Sequence, residues 1–533
     1  MPQGLHAGSC GQGATVPPGT VPPGTVPPGL VPFLDPAPLP PGPSLIGMGA
    51  PMESADPTSL EELGLEELLG DAAARAAGCD LASLYRILPA EESSTLARLA
   101  IARALMEDAD LRRTLTRAAD AIASARTLVP VVHRSGTERT EDRSWLSALL
   151  AYGAGLGDLA EGLAALPWAG PGAAARREAA LAGLSERRSR LGPTLAEAAR
   201  LAEELARIRA GLVLDRDLLV VTATPLQPLL AEELRRLLRP VLQRTEEPAI
   251  RPSRELPASG LAAQLVEEIA RQHPALDELR RLRARSAGFL DPWVLQLERE
   301  CRFFLAMLDT LESRCQPPRR ICIPTLVPPG APQSITEGWE VGLARRGADL
   351  ACSSLACPSG RSLVVVTGPN GAGKTTFARM VGQVAYLAAL GLPVPATAST
   401  LRRPRRVDAV FSRSEQVADQ GRLGQELHRL IDLLGRPAPR VLVVNEPFAS
   451  TTTSDALALA RSLMARLRQE GALAVVVTFL DELATGEGVT SLVATGPPSF
   501  AIAEGPPSAA SSALALAARY RLTAADIAAR VRP

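Results

Sequence analysis

Residues 363–391 read LVVVTGPNGAGKTTFARMVGQVAYLAALG. An apolar run enters a loop with glycines at 368, 371 and 373, and a segment of helical composition leaves it and stops at Gly391. The octet Gly368-Pro369-Asn370-Gly371-Ala372-Gly373-Lys374-Thr375 fits G-x-x-x-x-G-K-[ST], the Walker A or P-loop pattern. That pattern works only between a strand and a helix, because the loop's N–H groups and the helix N-terminus together cradle phosphate. The stretch therefore predicts a strand over 363–366, a helix over Thr376–Leu390 and an α/β domain around them.

Lys374 is the only lysine in 533 residues, and Asn370 is one of two asparagines. Ala, Leu, Arg, Gly and Pro dominate the rest, a skew that fits a high-GC bacterial genome. An arginine's planar fork cannot replace a compact ammonium on a flexible stem between phosphate oxygens. A lysine kept only at this position is what such a requirement leaves. The sequence assigns nucleotide phosphates to Gly368, Pro369, Asn370, Gly371, Ala372, Gly373, Lys374, Thr375 and Thr376, with the Thr375 hydroxyl as a ligand of Mg2+.

The second asparagine falls at the end of another apolar run. VLVV at 441–444 leads into Asn445-Glu446, the layout of a Walker B motif. Glu446 is placed to orient and polarise an attacking water. Asn445 stands where an aspartate would hold the metal's water shell. Its carbonyl accepts a hydrogen bond but carries no charge, which predicts weak Mg2+ affinity. AVVV at 474–477 is a third such run. Strands apolar on both faces and separated by helical segments predict a mainly parallel sheet covered on both sides.

The chain before the loop reads differently. VPPGTVPPGTVPPGL occupies 16–30, and proline and glycine stay dense to Pro51. Residues 1–58 are expected to form a disordered tail. From 59 to 315 the pattern is helical, predicting a long all-α core or lever domain. Leu290, Val294, Leu297, Cys301, Phe304, Leu308 and Leu311 form one stripe, and Leu111, Leu115, Ala118 and Ile122 form another. LLVVTA at 218–223 is the one convincing strand in that half. Residues 316–334, rich in proline, read as a linker to a C-terminal α/β domain over 335–533.

Composition narrows the function. Lys+Arg and Asp+Glu are both 57, so a strongly basic coat is excluded while a local arginine surface is not. Arginines 235, 236, 239, 244, 251 and 254, then 280, 281, 283 and 285, could meet phosphates, but interleaved glutamates favour a solvated face. Aromatics are 3% of the chain, too few for a base-stacking platform. The seven cysteines lack any C-x-x-C, and with four histidines a structural zinc site is not expected. The absence of a charged leader or a long apolar run predicts a cytoplasmic protein without a membrane span.

TGPNGAGKTTFARMVGQVAYLAALGLPVPA at 367–396, NEPFASTTTSDALALA at 445–460 and VVTFLDEL at 476–483 resemble the ATPase core of the MutS family of DNA mismatch repair proteins, most closely its shorter members. SLYRILPAEESSTLARLAIARALMEDADLRRTL and FLDPWVLQLERECRFFLAML resemble the family's lever helices less strongly. The resemblance implies an ATPase that works as a homodimer and clamps DNA. It implies that Ser450, Thr451 and Thr452 reach the partner's nucleotide, and that the helices within 509–532 buttress the dimer. Two departures limit it. The family's T-H pair is Thr478-Phe479 here, and no F-x-E mismatch wedge occurs. There is also no expected room for a mismatch-reading N-terminal domain or an appended nuclease domain, so mismatch specificity does not follow.

Two other readings stay open. An ABC-type ATPase head would share the loop, but no LSGGQ-like segment precedes Val441; GRLGQEL at 421–427 is the nearest approach. A nucleotide-gated scaffold with little turnover and no DNA role would suit the neutral Asn445 and Phe479.

Overall fold

The computed structural model describes residues 44–45, 51–76, 78–131, 138–170, 172–207, 211–215, 218–222, 273–347, 351–411, 421–436, 439–497, 499–507 and 520–531. Strand β1 (Met52–Ser54) pairs antiparallel with β2 (Ile87–Pro89), and between them run helices α1 (Pro57–Glu62), α2 (Leu65–Ala74) and α3 (Ala82–Tyr85). Helix α1 starts where it does because the Asp56 carboxylate accepts from Ser59 N at 2.9 Å and Pro57 fills the first turn. Helices α4 (Glu92–Glu107), α5 (Ala109–Val131), α6 (Glu138–Ala165) and α7 (Ala173–Arg207) follow. The Pro167–Gly172 stretch separates α6 from α7, as its composition predicts. An antiparallel pair, β3 (Gly211–Asp215) and β4 (Leu218–Thr222), precedes α8 (Pro274–Arg285) and α9 (Pro292–Ser313).

Helix α9 is the axis of this half. Its expected stripe, from Val294 to Leu311, is buried. So are three charged residues on its other faces, and each is partnered. Arg302 binds Glu298 at 2.5 Å and Asp120 at 3.1 Å. Glu300 accepts from the Ser44 hydroxyl at 2.7 Å, Leu45 N at 2.5 Å and Gln296 at 2.7 Å. Buried charge persists only with partners of this kind. These contacts correct the expected tail boundary, because Leu45 is buried and 52–62 already form β1 and α1. The half is also not wholly helical, since β1–β2 and β3–β4 lie within or beside it.

The stretch read as a linker carries structure too. Strand β5 (Thr325–Val327) pairs with a strand more than seventy residues on, and Cys322 exchanges backbone bonds with Val394 at 3.0 and 2.9 Å. The chain continues through β6 (Gln333–Gly338), α10 (Val341–Arg345), β7 (Ser353–Cys357), β8 (Leu363–Thr367) and α11 (Lys374–Leu390). Then come β9 (Ala398–Arg402), β10 (Arg406–Phe411), α12 (Arg422–Leu434), β11 (Arg440–Asn445), α13 (Thr453–Glu470), β12 (Leu473–Val477), β13 (Val489–Ala494), β14 (Ile502–Glu504) and α14 (Ala524–Val531). A four-stranded sheet has the order β5-β9-β6-β7, and a six-stranded sheet the order β10-β11-β12-β8-β13-β14. The larger sheet is parallel except for β14.

Its strands show why they are apolar throughout. Val364, Val366, Val443, Val475 and Val477 join one core with α11 and the helical half. Leu363, Val365, Leu442, Val444, Ala474 and Val476 join a second core with α13. Alternate residues point to opposite faces, and both faces are covered. From β8 the chain crosses to the β10 side and later returns to β13 on the other. The carboxyl end of β8 is therefore a topological switch point, the usual place for a ligand in such a sheet.

Helix α11 is enclosed from Met380 to Leu390 and ends in a left-handed glycine, Gly391, at φ 80°. A Cβ there would lie 2.5 Å from Arg98 Cβ and 3.0 Å from Thr95 O. Gly391→Ala is expected to cost about 2 kcal/mol or more, from backbone strain plus overpacking. A urea midpoint unchanged from the wild type would contradict this.

Candidate functional site

The loop after β8 takes its shape from its glycines. Gly368 has φ 128°, and a Cβ on it would lie 2.4 Å from Ala494 O at the end of β13. No other residue fits there. Asn370 through Thr376 then line a cleft of ≈ 340 Å³ together with Glu446, and the first turn of α11 points its N–H groups into it.

Lys374 is buried, with 4% of its surface exposed. Its ammonium donates to Gly368 O at 2.8 Å and Pro369 O at 2.9 Å and lies 4.4 Å from the centre of the Phe479 ring. Burial pushes its pKa below the ordinary lysine value, and the Glu446 carboxylate opposes that shift. The loop carbonyls thus hold the cation at the spot where oxygens are wanted.

The Thr375 hydroxyl donates to Asn445 Oδ1 at 3.2 Å. This bond joins the first turn of α11 to the end of β11. Asn445 is buried behind the cleft, while Glu446 faces it. Glu446 has φ 54°, a conformation that side chains rarely adopt, and its N–H donates to Val477 O at 2.8 Å.

Ser450, Thr451 and Thr452 do not line the cleft. Ser450 and Thr452 are exposed. The Thr452 hydroxyl caps α13, accepting from Asp455 N at 3.3 Å and donating to its carboxylate at 2.8 Å. Of the arginine clusters, 235–254 lie outside the described residues. Arg283 is paired with Glu141 at 3.0 Å and Asp142 at 2.8 Å, and Arg285 with Glu197 at 2.8 Å. Ion pairing accounts for those side chains.

Several cleft residues carry no motif, Phe500, Glu340 and Leu343 among them. Phe500 comes from the turn between β13 and β14, where its N–H donates to Gly496 O at 2.8 Å. Glu340 and Leu343 come from the start of α10, and Glu340 caps that helix at Gly342 N and Leu343 N, at 3.1 and 2.7 Å. Phe479 was legible only as a departure from a pattern, not as a contact of Lys374. It is half exposed, with its ring against the Lys374 ammonium.

The fit of a magnesium ion can be judged from the oxygens present. Thr375 offers a hydroxyl and Asn445 an uncharged carbonyl beside the phosphate loop. Among the described residues no group of three or more His, Cys, Asp or Glu could hold a metal by itself. An ion here would draw its remaining ligands from phosphates and water, which is the ordinary habit of Mg2+. Nor, among the described residues, is any helix long and apolar enough to cross a membrane.

Comparison with known proteins places this geometry. Residues 364–496 match the family model MutS domain V. "DNA mismatch repair protein MutS" of Granulibacter bethesdensis is 37% identical over 135 residues, 24% of this chain and 14% of that protein. "Endonuclease MutS2" of Anaeromyxobacter sp. is 35% identical over 124 residues, 22% of this chain and 15% of that protein. "DNA mismatch repair protein msh3" of Emericella nidulans is 34% identical over 106 residues, 19% of this chain and 9% of that protein. The matched part thus spans well under a fifth of each relative's length.

Proposed function

We infer, from a chain that belongs to the MutS family by its domain V, that this protein binds ATP with Mg2+ and hydrolyses it to drive a DNA-gripping state. The bond from Thr375 to Asn445 beside the single lysine carries the reading. It brings the two motifs that the sequence separates by about seventy residues into one phosphate-binding mouth. In this reading Gly368 to Thr376 hold the β- and γ-phosphates, Lys374 neutralises them, and Thr375 ligates the metal directly. Bound Mg2+ would neutralise charge on the phosphates; Asn445 would hold one of its waters. Glu446 orients the attacking water and takes its proton.

The remaining parts follow the family resemblance. Residues 59–315 serve as a helical core and lever, and 335–533 as the ATPase with its C-terminal helices. Two copies pair as a homodimer, and the exposed Ser450–Thr452 segment reaches the partner's nucleotide. Coupling requires that ATP bind the two lever states with different affinity. The test is binding to homoduplex, single-mismatch and branched DNAs, with and without a non-hydrolysable ATP analogue, at two salt concentrations. Nucleotide-dependent preference for mismatched or branched DNA supports a repair or recombination role. Only weak, salt-labile binding would mean that the engine drives something else.

A second reading, a nucleotide-gated scaffold with little turnover, draws on Phe479 over Lys374 and on the neutral Asn445. Asn445→Asp addresses the metal side of it. Adding one charge is expected to lower the Mg2+ concentration needed for half-maximal hydrolysis by roughly tenfold, on the scale of one charge-assisted contact. Superimposable magnesium titrations would rule that out.

A further inference from the structure

The turn that carries Glu446 is an unusual one. Glu446 and Phe448 both lie in the left-handed region, at φ 54° and 61°, with Pro447 between them. Neither is a residue that favours this conformation, so something outside the turn must hold it. Pro447 has no N–H, which leaves two backbone donors across 446–448. Glu446 N donates to Val477 O of β12 at 2.8 Å. Phe448 N donates to the Glu426 side chain, Oε1, at 3.0 Å. The Phe448 ring is buried in the core beneath the sheet, so the turn is pinned by its side chain on one side and by Glu426 on the other.

Glu426 lies on α12, and the same helix makes a second anchorage one turn on. Arg429 Nη2 donates to Ala409 O at 2.8 Å and reaches Asp56 at 3.2 Å and Glu62 at 3.3 Å on α1 and its cap. Residues three apart share a helix face, so the two grips act through one rigid element. One turn of this face fixes the Glu446 turn, and the next binds the first helix of the N-terminal half. Partial burial raises the pKa of Glu426, and the bond accepted from Phe448 N opposes that shift.

We propose that Glu426 is a positioning residue for Glu446, and that α12 ties the geometry of the hydrolytic turn to the seating of α1. The proposal rests on the ATPase reading above. It concerns turnover, not nucleotide affinity, because Glu426 lies outside the phosphate cleft.

The experiment compares Glu426→Ala with Glu426→Gln in the full-length chain. Gln keeps an acceptor oxygen at the same reach, and Ala does not. Three quantities are read: ATP affinity, the steady hydrolysis rate at saturating ATP, and amide hydrogen exchange across 446–450. For Glu426→Ala the expected result is hydrolysis lower by about tenfold, since small displacements of a reacting group cost that much or more. ATP affinity stays within about twofold, and exchange at Phe448 rises by about tenfold or more, as loss of the amide's partner requires. Glu426→Gln stays close to the wild type on all three. Unchanged exchange in Glu426→Ala, or an equal loss in Glu426→Gln, overturns the proposal. If Glu426→Ala does not fold, Glu426→Asp, one methylene shorter, replaces it with the same expectations. A wild type that binds ATP without turnover defeats the hydrolytic reading and the positioning role with it, while exchange still decides whether Glu426 holds the turn.

Discussion

Lys374→Ala is expected to weaken ATP binding by at least about a hundredfold, the loss of two hydrogen bonds to a charged group at about 1.5–3 kcal/mol each. The lysine is buried at the loop with its ammonium on the carbonyls of Gly368 and Pro369. Lys374→Arg should fare little better, because the guanidinium is planar and too wide for a site now filled by a single nitrogen. The fold should tolerate either change. The two carbonyls belong to a loop at the mouth of a cleft, where water can replace the ammonium. Titration with a fluorescent ATP analogue measures the effect, alongside a thermal melt. An affinity loss under threefold in Lys374→Ala would remove the phosphate-loop assignment altogether.

Glu446→Gln is expected to behave in the opposite way, with ATP affinity kept and hydrolysis lower by about 10²–10⁴, the usual contribution of a positioned base. The amide keeps the shape and one acceptor oxygen but cannot take a proton. Its backbone bond to Val477 O is untouched, so the left-handed turn should survive. Single-turnover hydrolysis separates this from a binding defect. A variant that hydrolyses like the wild type would assign the water to another group and favour the scaffold reading. If neither protein turns over, yet both bind ATP tightly, the scaffold reading is the one that stands.

The candidate site was legible in unequal parts. Its phosphate loop, the strand before it and the helix after it follow from local rules, because three glycines, one lysine and an apolar run specify them within thirty residues. Asn445 and Glu446 were legible as the polar end of a buried strand. The partners from elsewhere were not. Phe500 reaches the cleft from the turn after β13, Glu340 from a short helix more than thirty residues upstream of Lys374, and Glu426 holds Phe448 N of the Glu446 turn from a helix whose sequence reads only as amphipathic. Nothing in the spacing of these residues ties them to the phosphate loop.

The boundaries of the first half show the same division. Proline and glycine density placed Leu45 and 51–58 in a tail and 325–327 in a linker; 1–43 and 46–50 lie outside the described residues. Leu45 is held because Glu300, some 255 positions away, needs donors in a buried place. Strand β5 forms because β9 offers it an edge.

By itself, the sequence determined the α/β class of the C-terminal part, its G-x-x-x-x-G-K-T loop and the likeness of 364–496 to MutS domain V. These depend on hydrophobic period and on backbone geometry, which neighbouring residues dictate. Only the tertiary structure decided which distant side chains close the site, where Lys374 rests, and how α12 joins the Glu446 turn to the first helix. Those are choices among many partners of similar chemistry, made by packing and by the need to satisfy every buried polar group at once.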